Sequence, residues 1–306
     1  MDPRPAFADC LGRTGPLPLT LVSSDLISRD RTLILGVLNI TPDSFSDGGL
    51  HSDPDTALRQ AHQMAEDGVH VFDIGGESTR PATFGDHSPL PPTEEIARIL
   101  PVIMRLASEL PQIPISVDTY KAEVARAALD AGASIINDIS GLTFDPQMAP
   151  LAGELGVPVI VMHLLGSPRN IPLNPVYADV ISDIKAFFDR QITHALSCGV
   201  QREQIWLDPG IGFGKTVQHN LEILRRLSEF QTYDLPVVVG ASRKRFLGHI
   251  LGTDDPNDRK EGTAATVALC IAAGAAAVRV HDVKEMARVA KVTDAIVHGW
   301  AGVTYA

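Results

Sequence analysis

Short apolar runs recur along the chain, and five junctions share one form: a helix-like segment ends at a glycine and an apolar run follows, as at Asp130-Ala131-Gly132. Glycine supplies the left-handed residue that often terminates a helix. The Val- and Ile-rich run that follows is typical of a strand buried in a parallel sheet. The pattern predicts eight strands: 33–38, 69–74, 113–117, 134–137, 157–162, 205–207, 237–239 and 276–280.

Helix starts are predicted between these runs. Asp53-Pro54 and Asp145-Pro146 each have the form of an N-cap residue followed by proline in the first helical turn. Asp282 and Glu285 have the spacing of a capping box. Strands and helices therefore alternate along the whole repeat, which is the arrangement that builds a parallel sheet.

The count of strands decides between two architectures. Eight strand–helix units without a linker between them predict an α/β fold, the (β/α)8 TIM barrel, formed as a single domain by residues 31–306. An open, doubly wound sheet is the alternative, and the strand count argues against it. Residues 1–30 precede the repeat and are predicted to be an N-terminal extension.

The net charge, the apolar stretches and the cysteine content exclude some classes of partner and indicate a cellular compartment. The formal net charge of -11 repels nucleic acid and anionic membranes, so neither is an expected partner. Pro16 and Pro18 interrupt the only apolar stretch that resembles a signal peptide, and no membrane span is expected. The three cysteines, Cys10, Cys198 and Cys270, form no CxxC motif and no even set, which favours a reducing compartment and a cytoplasmic location.

Polar side chains stand at or just after every predicted strand, where a barrel of this type builds its site. They are Asn39, Asp73, Asp118, Asn137, His163, Asp208, Ser242 and His281. A single Asp or Asn in such a place is usually a helix cap or a satisfied buried group. Eight that converge on one opening need to pair with one another or to meet a ligand.

Positive charge is concentrated after strands 7 and 8, the place where barrels often bind phosphate. Arg279 and His281 lie two residues apart in a strand and so share one face. Arg279 interrupts an apolar run, and its burial would be unfavourable without a ligand or a carboxylate partner; we expect a ligand. Lys244 and Arg243 follow strand 7, and Arg245 is expected to lie on the solvated surface.

Two carboxylates, Asp118 and Asp208, approach the same opening from strands 3 and 6. Three roles remain open for them: ligands of a metal ion, an acid–base pair, or acceptors for a flat nitrogen heterocycle. The chain has no dense cluster of His and Cys, so a structural zinc site is not expected.

A glycine-rich stretch, residues 210–216, resembles two phosphate-binding motifs and matches neither. Pro209 stands where a Walker A loop requires its first glycine, and Lys215 stands where a dinucleotide fingerprint requires its last. The remaining interpretation is a flexible strand-to-helix loop that lets a ligand approach the backbone.

Longer motifs resemble the dihydropteroate synthase family. They are Leu38-Asn39-Ile40-Thr41-Pro42-Asp43-Ser44-Phe45-Ser46-Asp47-Gly48-Gly49, Asp73-Ile74-Gly75-Gly76-Glu77-Ser78-Thr79-Arg80-Pro81, Ser116-Val117-Asp118-Thr119, Ile136-Asn137-Asp138-Ile139-Ser140-Gly141, Asp208-Pro209-Gly210-Ile211-Gly212-Phe213-Gly214-Lys215, Ser242-Arg243-Lys244 and Arg279-Val280-His281-Asp282. They occur in the family's order, at the predicted strand ends, across roughly residues 31–290.

The resemblance implies a role for each matching residue. Pterin contacts would be Asp118, Asn137, Ile139, Met162, Asp208, Phe213, Gly240 and Lys244. Diphosphate contacts would be Asn39, Arg80, Arg279 and His281, with Asn39 also at the Mg²⁺ ion that the family uses. Contacts to para-aminobenzoate would be Phe45, Thr79, Pro81, Phe213, Ser242 and Lys244. Asp118, Lys244 and Arg279 would be the catalytic residues.

The resemblance also implies a reaction of folate biosynthesis. In this reaction 6-hydroxymethyl-7,8-dihydropterin diphosphate condenses with para-aminobenzoate, and the products are 7,8-dihydropteroate and diphosphate. Because diphosphate is a good leaving group once Mg²⁺ and arginine neutralise it, a dissociative, SN1-like path is expected. Sulfonamides are known to target this family. Its members are commonly homodimers, and the apolar helix predicted at 263–273 would suit such an interface, or would simply pack on the barrel.

One stretch departs from the family pattern. The segment after strand 5, 162–173, keeps Met162-His163 and Gly166-Ser167-Pro168 but is unusually apolar, with Pro172 where the family has Gln. Two other functions stay open: a pterin-binding methyltransferase that serves a corrinoid protein, and a silent paralogue that only binds pterin. The first has no use for the loop after Asn39 or for the Arg279 and His281 pair. The presence of Asp118, Lys244 and Arg279 weighs against the second.

Overall fold

Eight parallel strands form a ring at the centre of the molecule. The computed structural model describes residues 26–27, 31–41, 54–77, 90–166, 171–172 and 174–300. The strands are β1 (Leu33–Asn39), β2 (Val71–Gly75), β3 (Ile115–Asp118), β4 (Ile135–Asp138), β5 (Val159–Met162), β6 (Ile205–Asp208), β7 (Val238–Val239) and β8 (Ala277–Val280). They pair in the order β6-β5-β4-β3-β2-β1-β8-β7, and one parallel bridge between Leu207 and Val237 joins the two ends. The predicted barrel is confirmed, with strand bounds within about two residues of those expected.

Helices cover the outside of this ring. They are α1 (Pro54–Glu66), α2 (Pro92–Glu109), α3 (Ala122–Asp130), α4 (Met148–Leu155), α5 (Val180–Ser197), α6 (Val217–Arg225), α7 (Arg245–Leu251), α8 (Lys260–Ala272) and α9 (Val283–His298). Short 3-10 turns lie at Arg202–Gln204, Leu227–Tyr233 and Pro256–Arg259. None of the helices in the described part of the chain combines the length and the apolar composition that a membrane span requires.

The period of two along each strand separates two cores. Outward-facing residues such as Ile34 and Phe72 pack against the helices in the larger core. Inward-facing residues form a second, smaller core that closes the floor of the barrel: Leu33, Leu35, Val71, Ile135, Ile160, Trp206, Val238 and Ala277, with Leu26 from the segment before the barrel. Residues two positions further along each strand point to the same inner side, above this floor.

Two of the three predicted helix starts need correction, and the capping residue of the third lies outside the described residues. Helix α4 begins at Met148 rather than at Pro146, and the carboxylate of Asp145 instead accepts hydrogen bonds from the backbone of Ala122 and Gln147. Asp282 precedes α9 but makes no capping bond, because its carboxylate pairs with Arg243. Helix α1 begins at Pro54 as predicted, while Asp53 lies outside the described residues.

Candidate active site

A pocket opens where the carboxyl ends of the strands meet. It contains about 340 Å³ of space, part of it continuous with solvent, and is lined by Asp118, Asn137, Ile139, Met162, Asp208, Ile211, Phe213, Gly240, Lys244 and Arg279. All eight residues expected to contact a pterin lie in this lining, together with Arg279. Ile211 is the one lining residue that sequence reasoning did not assign to the site.

Strand geometry explains why these residues converge. Asn137 lies two residues after Ile135, Met162 two after Ile160, and Asp208 two after Trp206, so a polar or pocket-facing layer stands directly above the apolar floor. The floor excludes water from below. The charged groups in the layer above it are therefore in a region of low dielectric constant, where interactions between charges are stronger than in water.

Arg279 is held between two carboxylates, and we call Asp73, Asp118 and Arg279 the pocket cluster. Its Nε lies 2.5 Å from an oxygen of Asp73, and a terminal nitrogen lies 2.6 Å from Oδ2 of Asp118. Burial lowers the pKa of Arg279, but Asp73 and Asp118 outweigh this effect and raise it overall. Arg279 therefore stays charged and has the carboxylate partners that its position in an apolar strand requires.

Asp73 was expected only as a polar strand end, not as a residue of the site. It is fully buried and also accepts from Nδ2 of Asn137 at 3.2 Å. The available signal was a charged residue within the buried strand Val71–Gly75, because a buried carboxylate needs a partner on a neighbouring element.

Asp118 has one paired and one unpaired oxygen. Its Oδ2 meets Arg279, while Oδ1 is buried and has no hydrogen-bond partner among the described residues. Burial raises the pKa of Asp118 to about 7, partly offset by Arg279 and reinforced by the charge of Asp73. Near neutral pH this carboxyl group can therefore act either as an acceptor or as a donor toward a ligand.

Asp208 and Lys244 complete the polar lining. Asp208 Oδ1 accepts from the backbone nitrogen of Gly210 at 2.7 Å, and burial raises the pKa of the Asp208 carboxyl to about 6. Lys244 Nζ lies 3.9 Å from the centre of the Phe213 ring, a cation–π contact. Burial, reinforced by Arg279, lowers the pKa of Lys244 to about 8.

The glycine-rich stretch is a strand-to-helix loop, as expected. Gly210 has φ +69° and lies so close to His163 that an added Cβ would be 1.9 Å from its carbonyl oxygen, so only glycine fits. Thr216 caps α6 by accepting from the backbone of His219. Lys215 Nζ contacts His163 Nδ1 and the carbonyl of Phe213, both at 3.0 Å, which fixes the aromatic residue at the pocket wall.

Ser242 and His281 lie together, outside the set of pocket-lining residues. The hydroxyl of Ser242 is 3.1 Å from His281 Nδ1 and also accepts from the His281 backbone at 3.2 Å. Burial and the charge of Arg279 lower the pKa of His281 to about 3, so this imidazole is neutral at physiological pH. It can offer a hydrogen bond to an anion but no positive charge.

The pocket lining does not include three other residues that the sequence singled out: Arg243, Arg245 and Asn39. Arg243 forms a two-bond pair with Asp282, while Arg245 is exposed, as expected. Asn39 ends β1 and is half-buried. Four predicted site residues lie outside the described residues: Phe45, Thr79, Arg80 and Pro81.

Comparison with known proteins gives one consistent result. The family model described as pterin binding enzyme matches residues 35–281. The dihydropteroate synthase of Synechocystis is 48% identical over 87% of this chain and 90% of that protein. A Yersinia pestis dihydropteroate synthase solved with a sulfonamide drug superposes with a TM-score of 0.82, at 40% identity over 88% of this chain and 96% of that one.

A further solved structure is that of a complex with a small molecule. The Xanthomonas albilineans dihydropteroate synthase in complex with 7,8-dihydropteroate superposes with a TM-score of 0.79, at 36% identity over 88% of this chain and 95% of that one. The family match spans the whole ring of strands, from within β1 to the residue after β8. The chain therefore belongs to the pterin-binding enzyme family and, within it, to the dihydropteroate synthases.

Proposed function

We propose that the chain joins para-aminobenzoate to 6-hydroxymethyl-7,8-dihydropterin diphosphate. A C–N bond forms between the amine and the exocyclic methylene, the C–O bond to diphosphate breaks, and the amine loses one proton. One observation carries the proposal: two buried carboxyl groups, an amide and a lysine line the same pocket as Ile139, Met162 and Phe213. A flat heterocycle with ring nitrogens, an amino group and a carbonyl matches that combination.

The pterin is assigned to the polar lining. Asp118 and Asp208 have pKa values raised to about 7 and about 6, so each can adopt the protonation state that a ring nitrogen or amino group requires. Asn137 donates through Nδ2 to Asp73, which leaves its amide oxygen as an acceptor. Lys244 supplies the donor for the ring carbonyl, and Met162 and Phe213 pack on the ring.

The diphosphate is assigned to the side of the opening that carries the charged Arg279, with the neutral His281 as a hydrogen-bond donor. Arg80 is proposed as a further contact from the family resemblance. The Asn39 amide oxygen is a hard donor of the kind that Mg²⁺ accepts. Gly75 leaves room beside it, since an added Cβ there would lie 3.5 Å from that oxygen. Asn39 would therefore hold the ion together with the substrate's own oxygens, and the bound ion would neutralise charge on the leaving group.

We propose that ionisation precedes attack. Departure of diphosphate leaves a cationic methylene conjugated with the dihydropterin ring, and the Asp118 carboxylate stabilises that charge. The arylamine then attacks from the side bordered by Ser242, Phe213 and Lys244. It becomes acidic only after the C–N bond forms, so no residue has to act as a strong base.

A coupled diphosphate-release assay tests the function and the order together. The wild type is expected to release diphosphate with para-aminobenzoate, and to release a first equivalent without it. Lys244→Ala is expected to lower the rate by roughly 100-fold. Absence of release with both substrates would contradict the synthase reaction and favour the methyltransferase alternative. Release that strictly requires para-aminobenzoate would contradict ionisation first.

We further propose a homodimer formed through the helices on one side of the barrel. Large apolar side chains there are exposed: Leu269 is 61% exposed on α8, and Val292 and Ile296 are 62% and 77% exposed on α9. Such a surface favours association with a second apolar surface. Light scattering should give a dimer mass for the wild type and a monomer mass for Ile296→Asp. A monomeric wild type would contradict the proposal.

We place the chain in the cytoplasm on the chemistry of its thiols. Cys198 and Cys270 are both free, and burial raises the pKa of Cys270 to about 12, which keeps that thiol protonated and unreactive. Free thiols persist where the compartment is reducing. Cell fractionation should recover the protein with cytoplasmic markers, and recovery with secreted material would contradict the assignment.

A further inference from the structure

A buried carboxylate behind the pocket lining connects two side chains that come from distant strands. Asp73 lies on β2, two strands from Asn137 on β4 and two strands from Arg279 on β8 in the order of the ring. Arg279 Nε donates to Oδ2 of Asp73 at 2.5 Å, and Asn137 Nδ2 donates to Oδ1 at 3.2 Å. Asp73 is fully buried and does not line the pocket, so any effect it has on a ligand passes through these partners.

The carboxylate decides which end of the Asn137 amide it meets. As a carboxylate paired with an arginine, Asp73 has no hydrogen to donate, so only the amide nitrogen of Asn137 can form a hydrogen bond with it. Turning the amide over would place two buried acceptors against each other and leave both without a donor. The structure shows the favourable arrangement, in which Nδ2 also lies 3.4 Å from Oδ2 of Asp73.

The amide oxygen of Asn137 is consequently the atom left to meet a ligand. In the described part of the chain, both side-chain hydrogen bonds of Asn137 are donated by its Nδ2. The residue is 5% exposed and belongs to the pocket lining. A buried acceptor in this position favours a ligand that brings a hydrogen-bond donor to it and disfavours one that does not.

We propose that Asp73 is a positioning residue that sets the specificity of the pocket for an amino-substituted heterocycle. It acts by fixing the orientation of the Asn137 amide, and it does not touch the substrate itself. This inference rests on the proposed function, which places a pterin in the pocket. The pterin carries one exocyclic amino group, and we assign that group to the amide oxygen of Asn137.

The test compares two ligands that differ in this donor. One is 6-hydroxymethyl-7,8-dihydropterin diphosphate, and the other is its 2-deamino analogue, which carries hydrogen in place of the amino group. Calorimetric titration gives the Kd of each, and we call the ratio of the two values the amino preference. The wild type should bind the pterin roughly 10–100-fold more tightly than the analogue, because the analogue leaves a buried acceptor without a hydrogen bond.

Asp73→Asn is expected to remove or reverse the amino preference. Because Arg279 Nε still requires an acceptor, the introduced amide turns its oxygen toward Arg279 and its nitrogen toward Asn137. The Asn137 amide then turns over to accept that hydrogen bond, and its own nitrogen meets the amino group of the pterin. Two donors face each other in this arrangement, so the amino preference should fall by at least roughly tenfold.

A double-mutant cycle separates this role from the support that Asp73 gives to Arg279. Asn137→Ala removes the amide and should lower the amino preference by roughly tenfold. Asp73→Asn should lower the preference in the wild-type background and change it by less than about twofold in the Asn137→Ala background. A purely structural role would weaken the binding of both ligands equally and leave their ratio unchanged in both backgrounds.

The outcomes distinguish this inference from the proposed function. If the wild type makes no dihydropteroate, the proposed function fails. If the wild type is active and Asp73→Asn keeps the full amino preference, or lowers it equally in both backgrounds, Asp73 does not orient the amide. If Asp73→Asn does not fold, an amino preference that is absent from the wild type or undiminished in Asn137→Ala overturns the inference instead.

Discussion

The pocket cluster can be compared with a second buried group of ion pairs, Glu77, Glu95 and Lys121, which we call the anchor cluster. Each contains two carboxylates and one cation, but the two clusters differ in how completely their polar atoms are paired. In the anchor cluster, the ammonium group of Lys121 meets three acceptors. In the pocket cluster, Asp118 Oδ1 is buried without a partner in the part of the chain that the structure describes. Glu77 and Lys121 follow β2 and β3 by two or three residues, and the same strands carry Asp73 and Asp118, so position along the strands does not explain the difference.

The difference indicates what each cluster does. A buried acceptor without a hydrogen bond destabilises a fold by about 1–3 kcal/mol. A ligand that donates a hydrogen bond to such an atom at the wall of a pocket removes this penalty. The removal of the penalty then contributes to the binding free energy. The anchor cluster has no such atom on Lys121 and contributes rigidity instead.

Removal of the cation from the pocket cluster should have the largest effect. Arg279→Met leaves Asp73 and Asp118 buried without their common partner, and we expect the unfolding free energy to fall by about 3–5 kcal/mol, with synthase activity reduced by at least roughly 1000-fold. Urea denaturation and steady-state kinetics measure the two effects.

Arg245→Met is the control for Arg279→Met, since Arg245 is exposed at the start of α7. It should change the unfolding free energy by no more than about 0.5 kcal/mol. A stable, active Arg279→Met protein would show that the two carboxylates do not depend on the arginine.

A smaller effect is expected on the pH dependence of stability. The pKa of Asp118 is raised from 3.8 to about 7 by burial, so the folded state binds this proton more tightly than the unfolded chain. The stabilisation from this group is complete below the unfolded pKa and is lost as the pH rises through 7. As the pH rises from about 4 to about 8, the unfolding free energy of Asp118→Asn should therefore fall by less than that of the wild type.

The test compares the stability of the wild type with that of Asp118→Asn at each pH. This is necessary because Asp208, with a pKa raised to about 6 by burial, titrates in the same range in both proteins. Parallel stability curves for wild type and Asp118→Asn would mean that Asp118 keeps an ordinary pKa in the folded protein.

The smallest effect is expected below the pocket. Ser116 lies two residues before Asp118 on β3, and its hydroxyl is buried without a partner among the described residues. It does not line the pocket, so no ligand is expected to satisfy it. Ser116→Ala should raise the unfolding free energy by about 1 kcal/mol and change kcat/KM by less than about twofold. Destabilisation by the alanine would reveal a partner for this hydroxyl.

Much of the fold was predictable because its signals are local. Glycine at helix ends and apolar runs of strand length depend only on neighbouring residues, and they located all eight strands. The convergence of Asp118, Asp208 and Lys244 on one pocket followed from the rule for barrel strand ends. The same local reasoning failed at Asp282, whose carboxylate pairs with Arg243, 39 residues away, instead of capping α9.

The parts that escaped prediction depend on long-range pairing. The partners Asp73 and Arg279 are separated by 206 residues, and nothing within either strand selects the other. Lys121 and Glu95 belong to different helical units, so the anchor cluster exists only once α2 and α3 pack together. For Thr79 and Arg80, the expected roles rest on the family resemblance and remain predictions.

The central claim is that the pterin supplies the hydrogen bond that Oδ1 of Asp118 lacks among the described residues. The direct measurement is a calorimetric titration of 6-hydroxymethyl-7,8-dihydropterin diphosphate, without para-aminobenzoate, into the wild type, Asp118→Asn and Glu95→Gln. We predict a Kd that is roughly 10–100-fold higher for Asp118→Asn and unchanged for Glu95→Gln. Equal affinity of all three proteins for the pterin would contradict the account.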